Sequence, residues 1–262
     1  MTRRRLDVEL VRRKLVESRV DAKRAIDAGL VRLGSNPEPK ASTLVSPADS
    51  LHLTGAPEPF VSRSGRKLAA GLDAFPITVN GVRAVDVGAS TGGFTDCLLQ
   101  RGASTVVAID VGYGQMHWRI REDERVDVVE RTNIRTANIG DFGPPFDVVV
   151  ADLSFISLRA VADALIGLGS DSADWVLLIK PQFEVGRDSV GKGGIVRDRL
   201  VREQAVVDVT PALARRGLGL HGVIPSPVAG TTGNIEYVAW LRRGQAAASV
   251  QELLSTTEEP PL

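Results

Sequence analysis

From residue 82 onward the chain alternates short apolar runs with segments of helical pattern, and this alternation limits the fold more than any other feature. We predict that the apolar runs are strands, because they are short and helical segments separate them. The runs are Ala84–Val87, Thr105–Val111, Val126–Val129, Phe146–Ala151, Trp175–Ile179, Leu218–Ile224 and Ile235–Leu241. Strands of this kind form a mostly parallel sheet with helices on both faces, and ligands bind at the carboxyl ends of the strands. We therefore predict an α/β domain with a seven-stranded sheet.

Composition excludes several classes of protein. The 262 residues are 43% hydrophobic and 24% charged, as in a folded protein of one or two domains. The single cysteine cannot form an internal disulfide, and three scattered histidines do not suggest a zinc site, so we expect no metal. The first residues resemble no secretory signal and no apolar run is long enough to span a membrane. We expect a cytoplasmic protein without a membrane partner, and the sequence does not indicate its oligomeric state.

The zero net charge hides a basic amino-terminal segment. Residues 1–25 contain nine Lys or Arg and four acidic residues, so their net charge is +5 and that of the rest is −5. Such a cluster suits the phosphates of a nucleic acid, although a solvated helical face would have the same composition. The candidate RNA-binding residues, with one more beyond this segment, are Arg3, Arg4, Arg5, Arg12, Arg13, Lys14, Arg19, Lys23, Arg24 and Lys40.

The pattern around these charges favours RNA binding. Leu6, Leu10 and Leu15 recur at helical spacing, Ser18 can cap a second helix that stops at Gly29, and a short strand follows. Two short helices, a strand and a turn resemble the S4-type RNA-binding domain of ribosomal proteins. The resemblance implies a small α+β domain, which we place at residues 1–54, with a linker at 55–60 because GAPEP is rich in proline and glycine. A catalytic domain at 61–243 and a flexible tail at 244–262 complete the predicted organisation.

The glycine-rich stretch VDVGASTGGF follows the first predicted strand of the sheet. It lacks the lysine of a triphosphate-binding loop and the spacing of a dinucleotide-binding loop. Asp86 would repel a pyrophosphate but would favour a sulfonium, which points to S-adenosylmethionine, and Asp110 could bind its ribose. A loop that only turns the chain is the alternative. The candidate cofactor-binding residues are Asp86, Gly88, Ala89, Ser90, Thr91, Gly92, Gly93, Phe94, Asp110, Val111, Asn133 and Asp152.

Four charged residues suggest the chemistry. Asp152 follows the fourth predicted strand, and Lys180 follows the fifth, where Pro181 ends it. Burial and a second cation, Lys67, would favour a neutral Lys180 amine that could accept a proton, while Glu236 could orient the pair. Taken singly, Lys67 and Glu236 would be interpreted as surface ions.

The order Lys67, Asp152, Lys180, Glu236 resembles the Lys-Asp-Lys-Glu tetrad of FtsJ-like RNA ribose 2′-O-methyltransferases. The words VSRSGRKL, GASTGGFTDCLL, DVGYGQMHWRIR, ERTNIR, VVADLSFISL, KPQFEVG and GNIEY resemble the TlyA family within that group. The resemblance implies a Rossmann-like, S-adenosylmethionine-dependent methyltransferase with these four residues as its catalytic set. It also implies that cytidines of small- and large-subunit ribosomal RNA are the substrate, that ribosomal subunits are partners, and that the modification is linked to capreomycin sensitivity.

Two other functions stay open. Some relatives are named haemolysins, so a membrane-active protein is one alternative. The other is a ribosome assembly factor that binds RNA through an inactive methyltransferase fold.

Overall fold

The computed structural model describes residues 3–16, 18–27, 29–34, 36, 39–54 and 58–259. The chain forms two compact units, residues 1–57 and 58–262, and each is considered by itself. Part of the predicted linker, residues 55–57, lies outside the described residues, and so do Ser35 and Pro37 of the predicted turn.

The amino-terminal unit contains two short helices and two pairs of antiparallel strands. Its elements are β1 (Arg4–Arg5), α1 (Leu6–Arg12), α2 (Arg19–Asp27), β2 (Val31–Leu33), β3 (Leu44–Val45) and β4 (Leu51–Leu53), with β1 paired to β3 and β2 to β4. Its core includes Leu6, Leu10 and Val31. The Ser18 hydroxyl accepts a hydrogen bond from the Asp21 amide, which confirms the predicted cap, and Gly29 takes a φ of 67° after α2.

The larger unit is a seven-stranded sheet between two layers of helices. Its strands are β5 (Arg83–Val87), β6 (Thr105–Ile109), β7 (Val126–Val129), β8 (Phe146–Ala151), β9 (Gly169–Ile179), β10 (Leu218–Pro225) and β11 (Tyr237–Arg243). Its helices are α3 (Gly65–Ala74), α4 (Gly93–Gln100), α5 (Trp118–Arg121), α6 (Leu158–Leu168), α7 (Pro181–Glu184), α8 (Arg199–Ala214) and α9 (Val250–Ser255). Short 3-10 turns span Ile139–Phe142 and Arg187–Ser189.

The strand order is β10-β11-β9-β8-β5-β6-β7. Neighbours from β9 to β7 are parallel, whereas β11 is antiparallel to both β9 and β10. Apolar side chains cover both faces and form two separate hydrophobic clusters. The predicted α/β fold and the seven strands are confirmed. Only β9 is much longer than predicted, because its first residues, such as Asp171 and Ser172, are polar and exposed.

The expectation of a flexible tail is wrong for residues 244–259. Ser249 and Glu252 form a reciprocal capping box at the start of α9, and the Leu254 side chain lies in one of the two hydrophobic clusters. The pattern Ser-x-x-Glu before an apolar pair was the available signal. Residues 260–262 lie outside the described part of the chain.

Across the described ranges, no helix is both long enough and apolar enough to cross a membrane. In the same residues no group of three or more His, Cys, Asp or Glu side chains is arranged to hold a metal ion.

If α9 belongs to the folded core, Leu254→Ala will lower the free energy of unfolding by about 2 to 4 kcal/mol, because Leu254 is only 4% exposed. Leu200→Ala, at a position 73% exposed, is the control and will change it by less than about 0.5 kcal/mol. Urea denaturation measures both. Equal effects of the two substitutions would mean that α9 does not contribute to the core.

Candidate active site

A cavity of about 240 Å³ opens at the carboxyl edge of the sheet. Its walls come from the residues before and within α3, the loop after β5, the ends of β8 and β9, and the residues before β11. All four residues of the predicted catalytic set line it: Lys67, Asp152, Lys180 and Glu236. The structure therefore brings together side chains that lie up to 169 positions apart in the sequence.

The four side chains form two ion pairs. Lys67 Nζ donates to Glu236 Oε2 at 2.5 Å, and both side chains are buried. Lys180 Nζ lies 2.6 Å from Asp152 Oδ1, again with little exposure. Because buried charges are costly unless they are paired, each lysine is compensated by the carboxylate beside it. This arrangement differs from the sequence-based argument, in which Lys67 acts on Lys180 as a second cation and Glu236 orients both.

The sheet topology explains how these residues meet. Asp152 and Lys180 each follow the last residue of a strand, and β8 and β9 are adjacent and parallel, so their ends lie side by side. Because β11 runs antiparallel to β9, its beginning lies at this edge, and the pairing of Tyr237 with Ile179 brings Glu236 level with Lys180. Helix α3 packs closely on β11, since a Cβ at Gly71 would lie 2.7 Å from Val238, and its first turn supplies Lys67.

Several side chains at or near the charged set were not predicted from the sequence. Ser154 accepts a 2.8 Å hydrogen bond from Lys180 Nζ, and Gln182 Nε2 donates to Glu236 Oε1 at 3.3 Å. Phe155 is 91% exposed, takes a left-handed φ of 64° and contacts the Phe183 ring at 5.2 Å. Strained backbone and an exposed aromatic ring are features of functional sites. The available signal was the pair Ser-Phe two residues after the strand-ending aspartate.

The glycine-rich loop forms part of the cavity wall. Gly88 has a φ of 88°, and a Cβ there would lie 2.7 Å from the Asp152 carbonyl oxygen, so only glycine lets the loop approach the end of β8. Ala89, Ser90, Thr91 and Phe94 also line the cavity. Gly92 and Gly93 are part of the same stretch, where α4 begins.

The acidic residue after β6 fixes this loop. Asp110 Oδ2 accepts a hydrogen bond from the Ser90 amide at 2.7 Å, and its Oδ1 accepts one from the Gly112 amide at 2.6 Å. Val111, beside it, is largely exposed. A glycine-rich loop can approach a nucleoside closely, a carboxylate can accept hydrogen bonds from its ribose, and an apolar side chain can pack on its base. Here all three lie at the ends of adjacent strands. These residues therefore fit S-adenosylmethionine.

The expected role of Asp86 needs correction. It lies within β5 rather than at its end, and because side chains alternate along a strand it shares the face of Ala84 and points towards α4. Its Oδ2 accepts a 2.7 Å hydrogen bond from the Thr95 hydroxyl, and it is fully buried and does not line the cavity. Burial, with smaller contributions from the nearby carboxylates of Asp152 and Asp110, raises the pKa of Asp86 to about 7. The side chain therefore does not face a cofactor sulfonium directly.

Asn133 is exposed and its Oδ1 accepts a hydrogen bond from the Arg135 amide, as in a local turn. Neither Asn133 nor Asp110 lines the cavity. The expected contact of Asn133 with the cofactor stays a prediction.

The basic residues of the amino-terminal unit surround two buried carboxylates. Asp7 forms ion pairs with Arg5 and Arg19, and Glu9 with Arg12 and Arg13. The hydrogen bond from Arg5 holds the pKa of Asp7 at about 2, and that from Arg12 does the same for Glu9. Each acid thus keeps two guanidinium groups in place and leaves one net positive charge.

Other members of the predicted RNA-binding set differ in their surroundings. Arg13 also donates to three backbone carbonyls of residues 46–49, so it helps to hold the fold of this unit, and its contact with phosphate stays a prediction. Lys23 pairs with Asp27 on the surface. Four further residues of the predicted set are exposed: Arg3, Arg4, Lys14 and Lys40. The Arg24 side chain lies outside the described residues.

Comparison with known proteins identifies the family. A family model described as FtsJ-like methyltransferase matches residues 60–243, and one described as S4 domain matches residues 4–51. The chain belongs to the FtsJ-like methyltransferase family. This membership confirms the predicted family, the fold class and the enzyme class of methyltransferase.

Individual relatives extend over nearly the whole chain. The 16S/23S rRNA (cytidine-2′-O)-methyltransferase TlyA of Mycobacterium tuberculosis (strain CDC 1551 / Oshkosh) is 51% identical over 245 residues, 92% of this chain and 90% of that protein. Hemolysin A of Brachyspira hyodysenteriae is 37% identical and covers 90% of this chain and 98% of its own length. The solved structure of a hemolysin-named protein from Streptococcus thermophilus is 38% identical, with a TM-score of 0.76 over 97% of this chain and 95% of that chain. This FtsJ-like enzyme is therefore similar both to a protein named as an rRNA methyltransferase and to proteins named as hemolysins.

Asp86 makes the stability of this FtsJ-like fold depend on pH. Because the pKa of Asp86 is raised to about 7 in the folded protein and lies near 4 in the unfolded chain, wild-type stability is lost as pH rises from about 4 to about 7. Asp86→Asn removes this loss. The free energy of unfolding of the variant, relative to wild type, will therefore increase by up to about 4 kcal/mol between pH 4 and pH 7 and stay constant above pH 7.

Guanidinium denaturation at several pH values between 4 and 8 measures this difference. The control is Asp127→Asn, on the exposed face of β7. If the difference in the free energy of unfolding between Asp86→Asn and wild type does not vary with pH, the pKa of Asp86 is not raised in the folded protein.

Proposed function

We propose that this protein transfers a methyl group from S-adenosylmethionine to the ribose 2′-hydroxyl of cytidines in 16S and 23S ribosomal RNA. The observation that carries the proposal is the convergence of two lysines and two carboxylates in one cavity beside a nucleoside-type glycine loop. The name of the relative that is 51% identical supports the ribosomal substrate. On this proposal, ribosomal subunits in the cytoplasm are the partners.

The cofactor supplies a methyl group on a positively charged sulfur when it is bound. The backbone of Gly88–Gly93 and the side chain of Phe94 would hold it against the sheet edge, and Asp110 would accept hydrogen bonds from its ribose hydroxyls. Val111 and Asn133 are the residues proposed for its adenine base. Asp152, which lines the same cavity, completes the set.

The catalytic residues act on the substrate hydroxyl. A ribose 2′-hydroxyl is a poor nucleophile until its proton is removed or strongly hydrogen-bonded. Lys180 is the group we propose for this role, as a base or as a donor that positions the oxygen. Asp152 and Ser154 restrict the Lys180 amine by contacts of 2.6 and 2.8 Å. The Lys67–Glu236 pair, whose two side chains are buried, fixes the charge around them.

The target nucleotide must leave its helix to reach this cavity, since a ribose within stacked RNA is inaccessible there. Phe155 lies three residues after Asp152 and is almost fully exposed. We propose that its ring stacks on the displaced base, because single-stranded bases stack on exposed aromatic side chains. The positive φ of Phe155 is consistent with a residue held in place for contact rather than for packing.

The amino-terminal unit would hold the RNA through phosphates while the catalytic unit acts on the ribose. We further propose that the modification accompanies sensitivity to capreomycin. Loss of methylation would then make ribosomes less sensitive to the drug.

Asp152→Ala and Lys180→Ala will each reduce methyl transfer to ribosomal subunits at least about 100-fold, because each removes a group next to the reacting oxygen. Purified small and large subunits and naked ribosomal RNA are incubated with radiolabelled S-adenosylmethionine, and the labelled nucleotides are mapped. Asp171→Ala, at a fully exposed position, is the control and will keep wild-type activity.

Four results would contradict or restrict the proposal. Full labelling by Lys180→Ala would reject its role, and labelling of one subunit alone would restrict the substrate. Binding to subunits without any transfer by the wild type would favour the inactive assembly factor. Leakage of lipid vesicles that wild type and Lys180→Ala cause equally would favour the membrane-active alternative suggested by the hemolysin names.

Substituting Arg3 and Arg4 by Ala will weaken RNA binding and reduce the slope of log K against log salt by about 1 to 2, since each lost phosphate contact contributes about 0.9. This double variant leaves the Arg5–Asp7 pair in place. The control removes Arg101 and Arg216, two surface arginines of the larger unit that pair with Asp73 and Asp163. Filter binding at several salt concentrations measures the slopes. Identical slopes for the two double variants would show that the amino-terminal charge does not contact phosphate.

A further inference from the structure

The C-terminal arm, residues 244–259, lies beyond the segment that the methyltransferase family model matches. It is nevertheless fixed to the larger unit. The Ala247 amide donates to the Leu220 carbonyl of β10, and Leu254 is buried among the residues of α8 and the sheet. The arm then leads to Glu259, whose carboxylate is largely buried.

Glu259 contacts two side chains of the folded core. Its Oε1 accepts hydrogen bonds from Arg202 Nε at 3.2 Å and from the Tyr237 hydroxyl, and its Oε2 pairs with the Arg202 guanidinium. Arg202 and Tyr237 are both buried. A buried guanidinium needs its carboxylate, so removal of Glu259 would release the Arg202 side chain from its position.

Arg202 also holds the chain that precedes α8. Its Nη1 donates to the carbonyl oxygens of Val196 and Arg197 at 3.1 and 2.5 Å. The Val196 amide in turn donates to Asn234 Oδ1 at 2.9 Å. Asn234 is fully buried, and its Nδ2 donates to the Gly194 carbonyl at 2.8 Å. Arg202 and Asn234 therefore fix the same short segment from its two sides.

Asn234 belongs to the loop that borders the active site. Its carbonyl accepts a 2.8 Å hydrogen bond from the Gly230 amide, which closes the loop. Thr231 and Glu236 of this region line the cavity. A Cβ at Gly230 would lie 2.5 Å from Glu236 Oε1, so the loop backbone packs directly on the carboxylate that pairs with Lys67.

We propose that Glu259 is a positioning residue, and that the C-terminal arm braces residues 230–236 so that Glu236 meets Lys67 in the cavity. The connection runs from Glu259 through Arg202 and Asn234 to the loop. This inference rests on the proposed function, because the step that it supports is methyl transfer. The glycine-rich loop is held separately, by Asp110 and the end of β8, so the arm affects catalysis without affecting cofactor binding.

The full-length Glu259→Ala variant tests the proposal against Glu258→Ala, which removes the adjacent, exposed carboxylate. Glu259→Ala will lower kcat for ribosomal RNA at least about tenfold, while the Kd for S-adenosylmethionine, from calorimetry, stays within about twofold of wild type. Glu259→Gln will recover most of the activity, since the amide oxygen still accepts from Arg202 and Tyr237. Tyr237→Phe, which removes one hydroxyl, will give a smaller loss in the same direction and covers the case in which Glu259→Ala does not fold.

Hydrogen exchange gives a readout that does not depend on activity. Exchange of the Val196 and Gly230 amides will be at least about tenfold faster in Glu259→Ala than in Glu258→Ala, because their acceptors become mobile. Unchanged exchange would overturn the brace, and faster exchange with full kcat would overturn the positioning role. A parallel loss of kcat and cofactor binding would show that Glu259 is merely structural. If the wild type transfers no methyl group, the proposed function fails, and the exchange data still decide whether the arm holds the loop.

Discussion

Compensation of buried charge is the constraint on which the catalytic unit depends. Two lysines and two carboxylates lie in one largely buried cavity, and an unpaired member would be strongly destabilising. The pairs form only if β8 and β9 end at the same level and β11 runs in the opposite direction beside β9. The sheet topology therefore determines both the hydrophobic core and the positions of the charged side chains, because the same strands form the core and place the charges.

The same edge of the sheet shows how burial decides the state of a carboxyl group. Asp152 pairs with Lys180, whereas Asp86, on the adjacent strand β5, has Thr95 as its hydrogen-bonding partner and a raised pKa. Both are aspartates next to the glycine-rich loop in this unit. What distinguishes them is the alternation of side chains along a strand, which turns Asp86 into the helix layer. Two aspartates near the same edge of the sheet thus differ, since one lines the cavity and the other belongs to the core.

In the amino-terminal unit, buried acids organise the basic surface. Asp7 and Glu9 each hold two arginines, which lowers the local charge but fixes where the guanidinium groups lie. Pre-positioned side chains lose less entropy when they bind. A net charge counted along the chain cannot distinguish an arginine that supports the fold, such as Arg13, from one that is available to a phosphate, such as Arg4.

The sequence by itself determined the α/β class, the seven strands and the glycine-rich loop, and it singled out Asp152 and Lys180, because hydrophobic period and strand-ending polar residues are local signals. Lys67 and Glu236 joined them only through the resemblance to a family. Resemblance to a family gave the methyltransferase reaction. Only the tertiary structure decided that Lys67 pairs with Glu236 and Lys180 with Asp152, that Asp86 points away from the cavity, and that residues 244–259 fold. The ion pairs depend on strand direction and on the register of β11, which bring together segments far apart in the chain, and no local pattern of residues contains that information.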